Sequence, residues 1–188
     1  YATHKSVVEP RLRTIADRAG MEFYALRPCG IVGPHAAGAA LDPVSRRATD
    51  LARRALRAAS RAGLRPMVVA PAVPTQFVHA EDVARAALLC AHGEGPPGAY
   101  NLAGEDIVEG EEIPALLGMR NIPVPRRVRR PVMRAVAALQ HLHPVFAWPL
   151  TFAEPVIVDT TKARTQLGWN PRYSSRAALL STRPGLGL

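Results

Sequence analysis

Hydrophobic side chains recur at helical spacing near the start of the chain. Within residues 6–18 they lie three or four positions apart, and Gly20 stands where such a helix would end. A short apolar run follows at 23–26 and is closed by Pro28, which is typical of a buried parallel strand that reaches its carboxyl end. Two glycines and a proline within 30–34 then predict a loop.

Further helices and strands are predicted by the same alternation of apolar and polar positions. The predicted helices are 44–62, 81–91, 131–142 and 160–167, and the strand candidates are the apolar run 67–70 and residues 99–102. Asp159 stands before the last helix as a cap, and Gly168 and Pro171 predict its end.

The composition limits the classes of partner. The 188 residues are enough to bury a core, and the formal net charge of +9 is carried almost wholly by arginine. Such a charge is compatible with a nucleic acid, an acidic membrane or a phosphorylated ligand. However, the arginines alternate with apolar residues on helical segments. Aromatic residues make up only 5%, which is few for a surface that stacks on the bases of single-stranded nucleic acid. We therefore expect no nucleic-acid partner.

Cysteine and histidine usage predicts the compartment and the absence of a metal. Cys29 and Cys90 lie in apolar surroundings without a second pair, so we expect free thiols in a reducing, cytoplasmic compartment. His141 and His143 have no further ligand at metal-binding spacing, so we expect no metal site.

An arginine-rich segment, 126–134, leads into an uncharged stretch, 135–153. Two prolines and two histidines interrupt the apolar part, so the sequence predicts no membrane span. A helix packed on a sheet or lining a cleft is favoured over one that lies on a membrane surface.

Residues 93–98 match the letter pattern of a dinucleotide-binding loop, Gly-x-Gly-x-x-Gly. That loop requires a strand before it and a helix after it, so that a pyrophosphate meets a helix N-terminus. Here a predicted helix precedes, two prolines intervene and a strand follows, so we predict a turn. Because no other segment supplies the loop and Tyr1 already stands in a helical pattern, we interpret the chain as a fragment whose nucleotide-binding half is absent.

Tyr1 and Lys5 stand four residues apart, so an α-helix would bring them together on one face. Two unit charges about 5 Å apart interact by roughly 3 kcal/mol at an effective dielectric constant of about 20, which would move the pKa of the Tyr1 phenol from about 10 toward neutrality. Such a phenol can exchange a proton with a carbinol or carbonyl while a nicotinamide exchanges hydride. A solvated helix face with the same spacing is commoner, so the pair alone does not establish catalysis.

Five motifs follow one another along the chain. They are Tyr1-x-x-x-Lys5, then Leu26-Arg27-Pro28-x-x-Ile31-x-Gly33-Pro34, then Phe77-Val78-His79-x-x-Asp82-Val83-Ala84, then Tyr100-Asn101-Leu102-Ala103-Gly104, and last Asp159-x-x-Lys162-Ala163 with Leu167-Gly168-Trp169-x-Pro171. In this order they resemble the C-terminal half of an extended short-chain dehydrogenase/reductase, of the NAD-dependent epimerase/dehydratase family. The resemblance extends over nearly the whole chain.

The resemblance implies an α/β fold. It would comprise the C-terminal part of a Rossmann-like doubly wound parallel sheet and a small α/β substrate domain. Residues 1–35 would belong to the Rossmann-like domain and 36–188 mainly to the substrate domain, with 66–91 returning to the Rossmann-like sheet.

The resemblance also implies an oxidoreductase that uses NAD or NADP, with Tyr1 as the catalytic acid/base. Lys5 would lower the pKa of that phenol and hold the nicotinamide ribose, and backbone around Pro28, Cys29 and Ile31 would border the nicotinamide. We expect His79 and Asp82 to organise the start of their helix rather than to perform chemistry.

Two departures from the family pattern concern the small-molecule substrate. Epimerases that act on UDP-sugars typically carry an arginine four residues before the motif histidine, where this chain has Thr75, and an Arg-x-x-Asp before the last motif, where 148–155 contains no arginine. Losing such charge-assisted contacts to a diphosphate favours a less charged or more apolar substrate. The candidate walls of its pocket are Gln76, Phe77, Trp148 and Phe152.

Epimerase, dehydratase and reductase activities remain open, and we expect the isolated fragment to be inactive. The resemblance implies a homodimer through the helix that bears Tyr1 and Lys5. The alternatives are a non-catalytic module of the same ancestry that binds an acidic partner through arginine-rich helices, and a degenerate relative that has lost its glycine motif.

Overall fold

A computed structural model describes residues 2–36, 57–68, 73–122, 125–138 and 157–186, together with residues 51, 54, 55 and 155. Its helices are α1 (Ala2–Ala19), α2 (Ala80–Ala91), α3 (Ile113–Leu116), α4 (Arg126–Ala138), α5 (Thr161–Gln166), α6 (Ser175–Leu180) and α7 (Arg183–Leu186). Its strands are β1 (Tyr24–Pro28), β2 (Gly30–Val32), β3 (Met67–Val68), β4 (Phe77–His79), β5 (Gly98–Leu102) and β6 (Arg120–Asn121). Residues 57–61 are also helical, and a 3₁₀ turn at Gly110–Glu112 precedes α3.

The described strands form parallel pairs, which confirms the predicted α/β class. β1 pairs with β5, β2 with β4, and β3 with β6. Cys29 alone separates β1 from β2, and its N–H donates to the Leu102 carbonyl at 3.0 Å. The Gly104 N–H, just beyond β5, donates to the Phe77 carbonyl of β4 at 2.7 Å. The carboxyl ends of β1 and β5 therefore lie together, next to β4.

Two clusters of buried side chains form the core of the described residues. The larger joins α2, β5 and the segment that contains α5, and its buried members are Val78, Ala86, Tyr100, Leu102, Ala163, Leu167 and Trp169. The smaller lies under α3 and α6, and its buried members are Phe77, Val108, Ile113 and Leu179. Because Phe77 and Val78 are consecutive strand residues, their side chains point to opposite faces, and β4 contributes to both clusters.

Gly20 ends α1 as predicted. Its φ is +63°, a left-handed conformation that a side chain would strain, and the Met21 N–H donates to the Ala16 carbonyl at 2.9 Å. The helix begins earlier than the predicted residue 6 and contains Pro10. Proline has no N–H, so this residue forgoes one helical hydrogen bond in the middle of α1.

Helix α4 corrects the predicted start at residue 131. The helix begins at Arg126, and Pro131 lies inside it. Arginine has a high helix propensity, which outweighs the one hydrogen bond that Pro131 cannot make. The predicted continuation to residue 142, the first part of the predicted helix 44–62 and most of the uncharged stretch 135–153 lie outside the described residues.

Helices α6 and α7 were not predicted, because the stop signal at Gly168 and Pro171 was taken as the end of the last helix. Instead Ser174 starts a new helix, and its hydroxyl accepts from the Ala177 N–H at 3.1 Å. Within the described part of the chain, no helix is long and apolar enough to cross a membrane, and no three His, Cys, Asp or Glu side chains are grouped to hold a metal ion.

Candidate active site

The carboxyl end of β1 forms an apolar edge. Pro28 and Cys29 are half-buried, whereas the Ile31 side chain of β2 is 46% exposed. Burial raises the pKa of the Cys29 thiol to about 12, so this group is a neutral thiol near pH 7. Ligands of open α/β sheets bind at the carboxyl ends of their strands, so this edge is where a planar ring could pack.

Glu9 and Arg27 join α1 to this edge. The Arg27 guanidinium donates to both carboxylate oxygens of Glu9, from Nε to Oε2 at 3.1 Å and from Nη2 to Oε1 at 2.5 Å. This hydrogen bonding lowers the pKa of Glu9 and raises the pKa of Arg27, because it favours both charged forms. The pair therefore sets the register between the helix and the last residues of β1.

Lys5 lies on the same face of α1 as Glu9, because four residues separate them. α1 and β1 are joined by the turn after Gly20 and run in opposite directions up to the contact with Arg27. Moving from Glu9 to Lys5 therefore advances about 6 Å along the helix in the direction of the carboxyl end of β1. Lys5 is exposed, and its place at the edge at Pro28 stays a prediction.

Three of the predicted site residues, Tyr1, Trp148 and Phe152, lie outside the described residues. Gln76 is buried, and backbone groups occupy both ends of its side-chain amide: Nε2 donates to the Gly104 carbonyl at 3.2 Å, and Oε1 accepts from the Val158 N–H at 2.8 Å. The structure therefore assigns Gln76 a role in joining three segments. Its contribution to a substrate pocket stays a prediction.

Phe77 is buried in the smaller core cluster. Its backbone is held by the Ser175 hydroxyl, which accepts from the Phe77 N–H at 3.1 Å and donates to the Phe77 carbonyl at 3.2 Å. The predicted place of Phe77 in a substrate pocket also stays a prediction.

His79 caps helix α2, as predicted. Its Nδ1 accepts from the Glu81 N–H at 3.2 Å, and its ring stacks on Tyr173 with 4.0 Å between the ring centres. The other ring nitrogen, Nε2, faces Gly33, where a Cβ would lie only 3.2 Å away. The imidazole is therefore used for capping and packing.

Asp82 is fully buried and joins the C-terminal segment to α2. The sequence predicted only that Asp82 organises the start of its helix. Its carboxylate accepts from the N–H groups of Arg172, at 2.9 Å, and Tyr173, at 3.1 Å, and from the Arg85 guanidinium at 3.2 Å. Its carbonyl accepts from Trp169 Nε1 at 2.8 Å. The only signal for this role in the sequence was an acidic residue within an apolar helical pattern.

The last two motifs contact each other. Asp159 Oδ1 accepts from the Thr161 N–H at 2.8 Å, next to α5, whose N-cap is Thr160 and not the predicted Asp159, and hydrogen bonds from Thr161 lower the pKa of this carboxyl. Asn101 Nδ2 donates to the Asp159 carbonyl at 3.2 Å, and the Lys162 ammonium lies 4.6 Å from the centre of the Tyr100 ring. These motif residues act in packing.

Comparison with known proteins gives a family and a fold. A sequence model described as the NAD dependent epimerase/dehydratase family matches residues 1–103, and no curated protein sequence matches the chain. The structure is similar to a UDP-glucose 4-epimerase from the hyperthermophilic eubacterium Thermotoga maritima, solved with UDP-glucose, with 21% identity and a TM-score of 0.60 over 98% of this chain and 52% of that chain.

Two further structures have a similar fold. RMD from Pseudomonas aeruginosa, complexed with NADPH, gives 18% identity and a TM-score of 0.64 over 100% of this chain and 55% of that chain. A UDP-glucose 4-epimerase from Brucella ovis, in complex with NAD, gives 18% identity and a TM-score of 0.61 over 100% and 56%. The chain thus spans about half the length of these proteins, and the likeness confirms the predicted Rossmann-like α/β fold.

Proposed function

Because the chain belongs to the NAD dependent epimerase/dehydratase family, we propose that it is the C-terminal part of an oxidoreductase of that family, in which Tyr1 and Lys5 transfer a proton. The observation that carries the proposal is the Glu9–Arg27 pair. Tyr1, Lys5 and Glu9 recur every four residues, close to the repeat of one helical face, so the contact between Glu9 and β1 supports a place for Lys5 near the edge at Pro28.

The residues at this edge fit a nicotinamide cofactor, NAD or NADP. Exposed Ile31 offers an apolar surface for a planar ring, and the exposed Lys5 ammonium can donate hydrogen bonds to ribose hydroxyls. When bound, the cofactor would supply hydride exchange at a substrate carbon. Lys5 would stabilise the ionised phenol of Tyr1, and that phenol would accept a proton from a hydroxyl or return it to a carbonyl oxygen.

Replacing Tyr1 by phenylalanine in the complete protein tests this assignment. Removal of a general acid/base lowers turnover by about 10²- to 10⁴-fold, whereas cofactor affinity should change little because the ring is retained. Turnover is measured by nicotinamide absorbance with candidate sugar nucleotides or apolar carbonyl compounds, and cofactor binding by calorimetry. Unchanged turnover in the Tyr1→Phe variant would remove Tyr1 from the mechanism.

The cofactor phosphates require a glycine-rich loop between a strand and a helix, whereas the one Gly-x-Gly-x-x-Gly pattern in the sequence, 93–98, follows helix α2 and leads into strand β5. We therefore propose that these residues alone neither bind a nicotinamide dinucleotide measurably nor catalyse turnover. Calorimetric titration of the isolated chain with NAD and NADP tests this statement, and saturable binding would refute it.

The proposed substrate is less charged than a UDP-sugar. Thr75, which stands at the position of the expected arginine, is 5% exposed and forms a two-bond bridge with Val108, at 3.0 and 2.9 Å. A buried threonine cannot supply the charge-assisted hydrogen bonds that an arginine makes to a diphosphate. Turnover of a UDP-sugar by the complete enzyme, with the nucleotide-sugar bound in its structure, would contradict this proposal.

We also propose that the complete protein dimerises through α1. Val7 and Ile15, eight residues apart, lie on the helix away from the face of Lys5 and Glu9, and they are 45% and 61% exposed. Such an uncovered apolar stripe favours association with the same helix of a second copy.

A further inference from the structure

An open cleft of about 250 Å³ lies apart from the edge at Pro28. Three segments form its walls: the end of the helical residues 57–61 with the turn that follows, the turn after α3, and the first residue of α7. Its lining residues are Ser60, Gly63, Leu64, Arg65, Pro66, Gly118 and Arg183. No carboxylate is among them, so the formal charge of the lining is positive.

The two cleft arginines have no acidic partner in the described part of the chain. No carboxylate there lies within 4.0 Å of either guanidinium, and neither group donates a hydrogen bond to a described residue. Other exposed arginines behave differently, since Arg164 pairs with Glu105 at 2.9 Å and Arg176 pairs with Glu112 at 2.7 Å. Arg65 and Arg183 therefore keep the hydrogen-bonding capacity that a bound anion would use.

The backbone holds this cleft in place. The Leu64 N–H donates to the Ala59 carbonyl at 2.9 Å and closes the helix end, and the Arg120 N–H donates to the Pro66 carbonyl at 2.8 Å, next to the β3–β6 pair. Gly118 has a φ of +75°, and a Cβ there would lie 3.2 Å from Nη2 of Arg183. Glycine at this position therefore both permits the turn and leaves room for the guanidinium.

We propose that this cleft binds the phosphate group of a small phosphorylated metabolite through Arg65 and Arg183. A guanidinium matches phosphate oxygens with two parallel N–H donors, and the Ser60 hydroxyl can add a third donor. Leu64 and Pro66 supply apolar wall for the carbon part of the ligand. The site differs from the proposed catalytic edge in its residues and does not depend on a nicotinamide.

Titration of the complete protein with inorganic pyrophosphate, without nicotinamide, tests the proposal. At about 150 mM chloride the Debye length is about 8 Å, so diffuse attraction is strongly screened. We expect saturable binding, and a loss of at least about tenfold in affinity in each of the variants Arg65→Gln and Arg183→Gln, since hydrogen bonds to charged groups contribute about 1.5 to 3 kcal/mol. The Arg183→Lys variant should recover only part of the affinity, because lysine keeps the charge and loses the fork.

Arg57→Gln is the matched control, because it removes the same charge from an exposed arginine on the adjoining helix that does not line the cleft. The control should retain wild-type affinity for pyrophosphate. Two outcomes would overturn the proposal: no saturable binding of pyrophosphate by the wild type, and an equal loss of affinity in Arg57→Gln. Thermal unfolding of each variant identifies any loss of affinity that arises from misfolding. In that case the affinity of the Arg183→Lys variant decides whether the cleft binds pyrophosphate.

Discussion

The Arg27 guanidinium donates to both carboxylate oxygens of Glu9, and this pair joins α1 to the end of strand β1. The contact lies one helical turn from Lys5 and one residue from the end of β1. It therefore couples the helix that bears the proposed catalytic residues to the strand that would border the cofactor.

The stability of this pair should depend on pH. Because Arg27 lowers the pKa of Glu9, the pair stabilises the fold above the ordinary glutamate pKa of about 4.3, and this contribution is lost as the pH falls through the lowered value. Both side chains are partly exposed, so a double-mutant cycle with Glu9→Gln and Arg27→Gln should give a coupling of only about 0.5 to 1 kcal/mol at pH 7. Denaturant unfolding at pH 7 and pH 3 measures it, and an equal coupling at both pH values would contradict the assignment.

Replacing Asp82 by asparagine should destabilise the protein by about 3 kcal/mol. Either orientation of the new amide would place its NH2 group against the Arg172 N–H and one further donor, the Tyr173 N–H or the Arg85 guanidinium. Fluorescence of Trp169, which donates to the Asp82 carbonyl, should shift to the red as that segment detaches. The control is Arg85→Gln, which leaves both backbone bonds in place and should cost about 1 kcal/mol or less. Similar losses in the two variants would be evidence against this role.

Replacing Gly104 by alanine should destabilise the fold through a steric clash. A Cβ at this position would lie 2.3 Å from the Ser175 nitrogen, so α6 would have to move away from β4. The expected cost is about 3 kcal/mol, the upper end of the usual range for overpacking. Gly20→Ala is the matched comparison, because a Cβ there meets nothing within 4 Å and only its φ of +63° is strained, which costs about 1 kcal/mol. Chemical denaturation of both variants tests whether Gly104→Ala destabilises the protein more than Gly20→Ala does.

The Cys29 thiol should react slowly with alkylating reagents. With a pKa of about 12, about one thiol in a thousand is ionised at pH 9, and only the thiolate is nucleophilic. The alkylation rate of Cys29, followed by mass spectrometry of the modified peptide, should still be rising above pH 10. A Cys29→Ser variant separates the contribution of Cys90. A rate that levels off near pH 9 would show that the Cys29 thiol is not desolvated.

A charge placed on the exposed stripe of α1 should dissociate the proposed dimer. In the complete protein, Ile15→Glu would bring two carboxylates into an apolar contact between copies, so sedimentation should change from dimer to monomer. Asp17→Lys changes the charge on the side of the same helix opposite Ile15 and should leave the dimer intact. A monomeric wild-type protein, or dissociation by both substitutions, would contradict an interface on this stripe.

Local signals in the chain predicted a substantial part of the fold. Gly20 ended α1 because glycine adopts a left-handed turn at low cost. The predicted cap Asp159 lies one residue before the N-cap Thr160, and its carboxylate accepts from the Thr161 N–H. The start of α4 at Arg126 and the presence of α6 were missed, because one proline or glycine was given more weight than the helix-forming residues around it. The predicted roles of Tyr1, Trp148 and Phe152 stay predictions, since they lie outside the described residues.

The sequence alone determined several of the helices and strands, the five motifs and hence the family, because helix periodicity and turns act between residues a few positions apart. Only the tertiary structure decided which motif residues meet: Glu9 with Arg27, Asp82 with residues 90 and 91 positions later, and Arg183 with Gly118. The physical reason is that a charged or buried polar side chain pairs with groups that tertiary packing brings close to it. The separation of two residues along the sequence does not predict whether they are close in space.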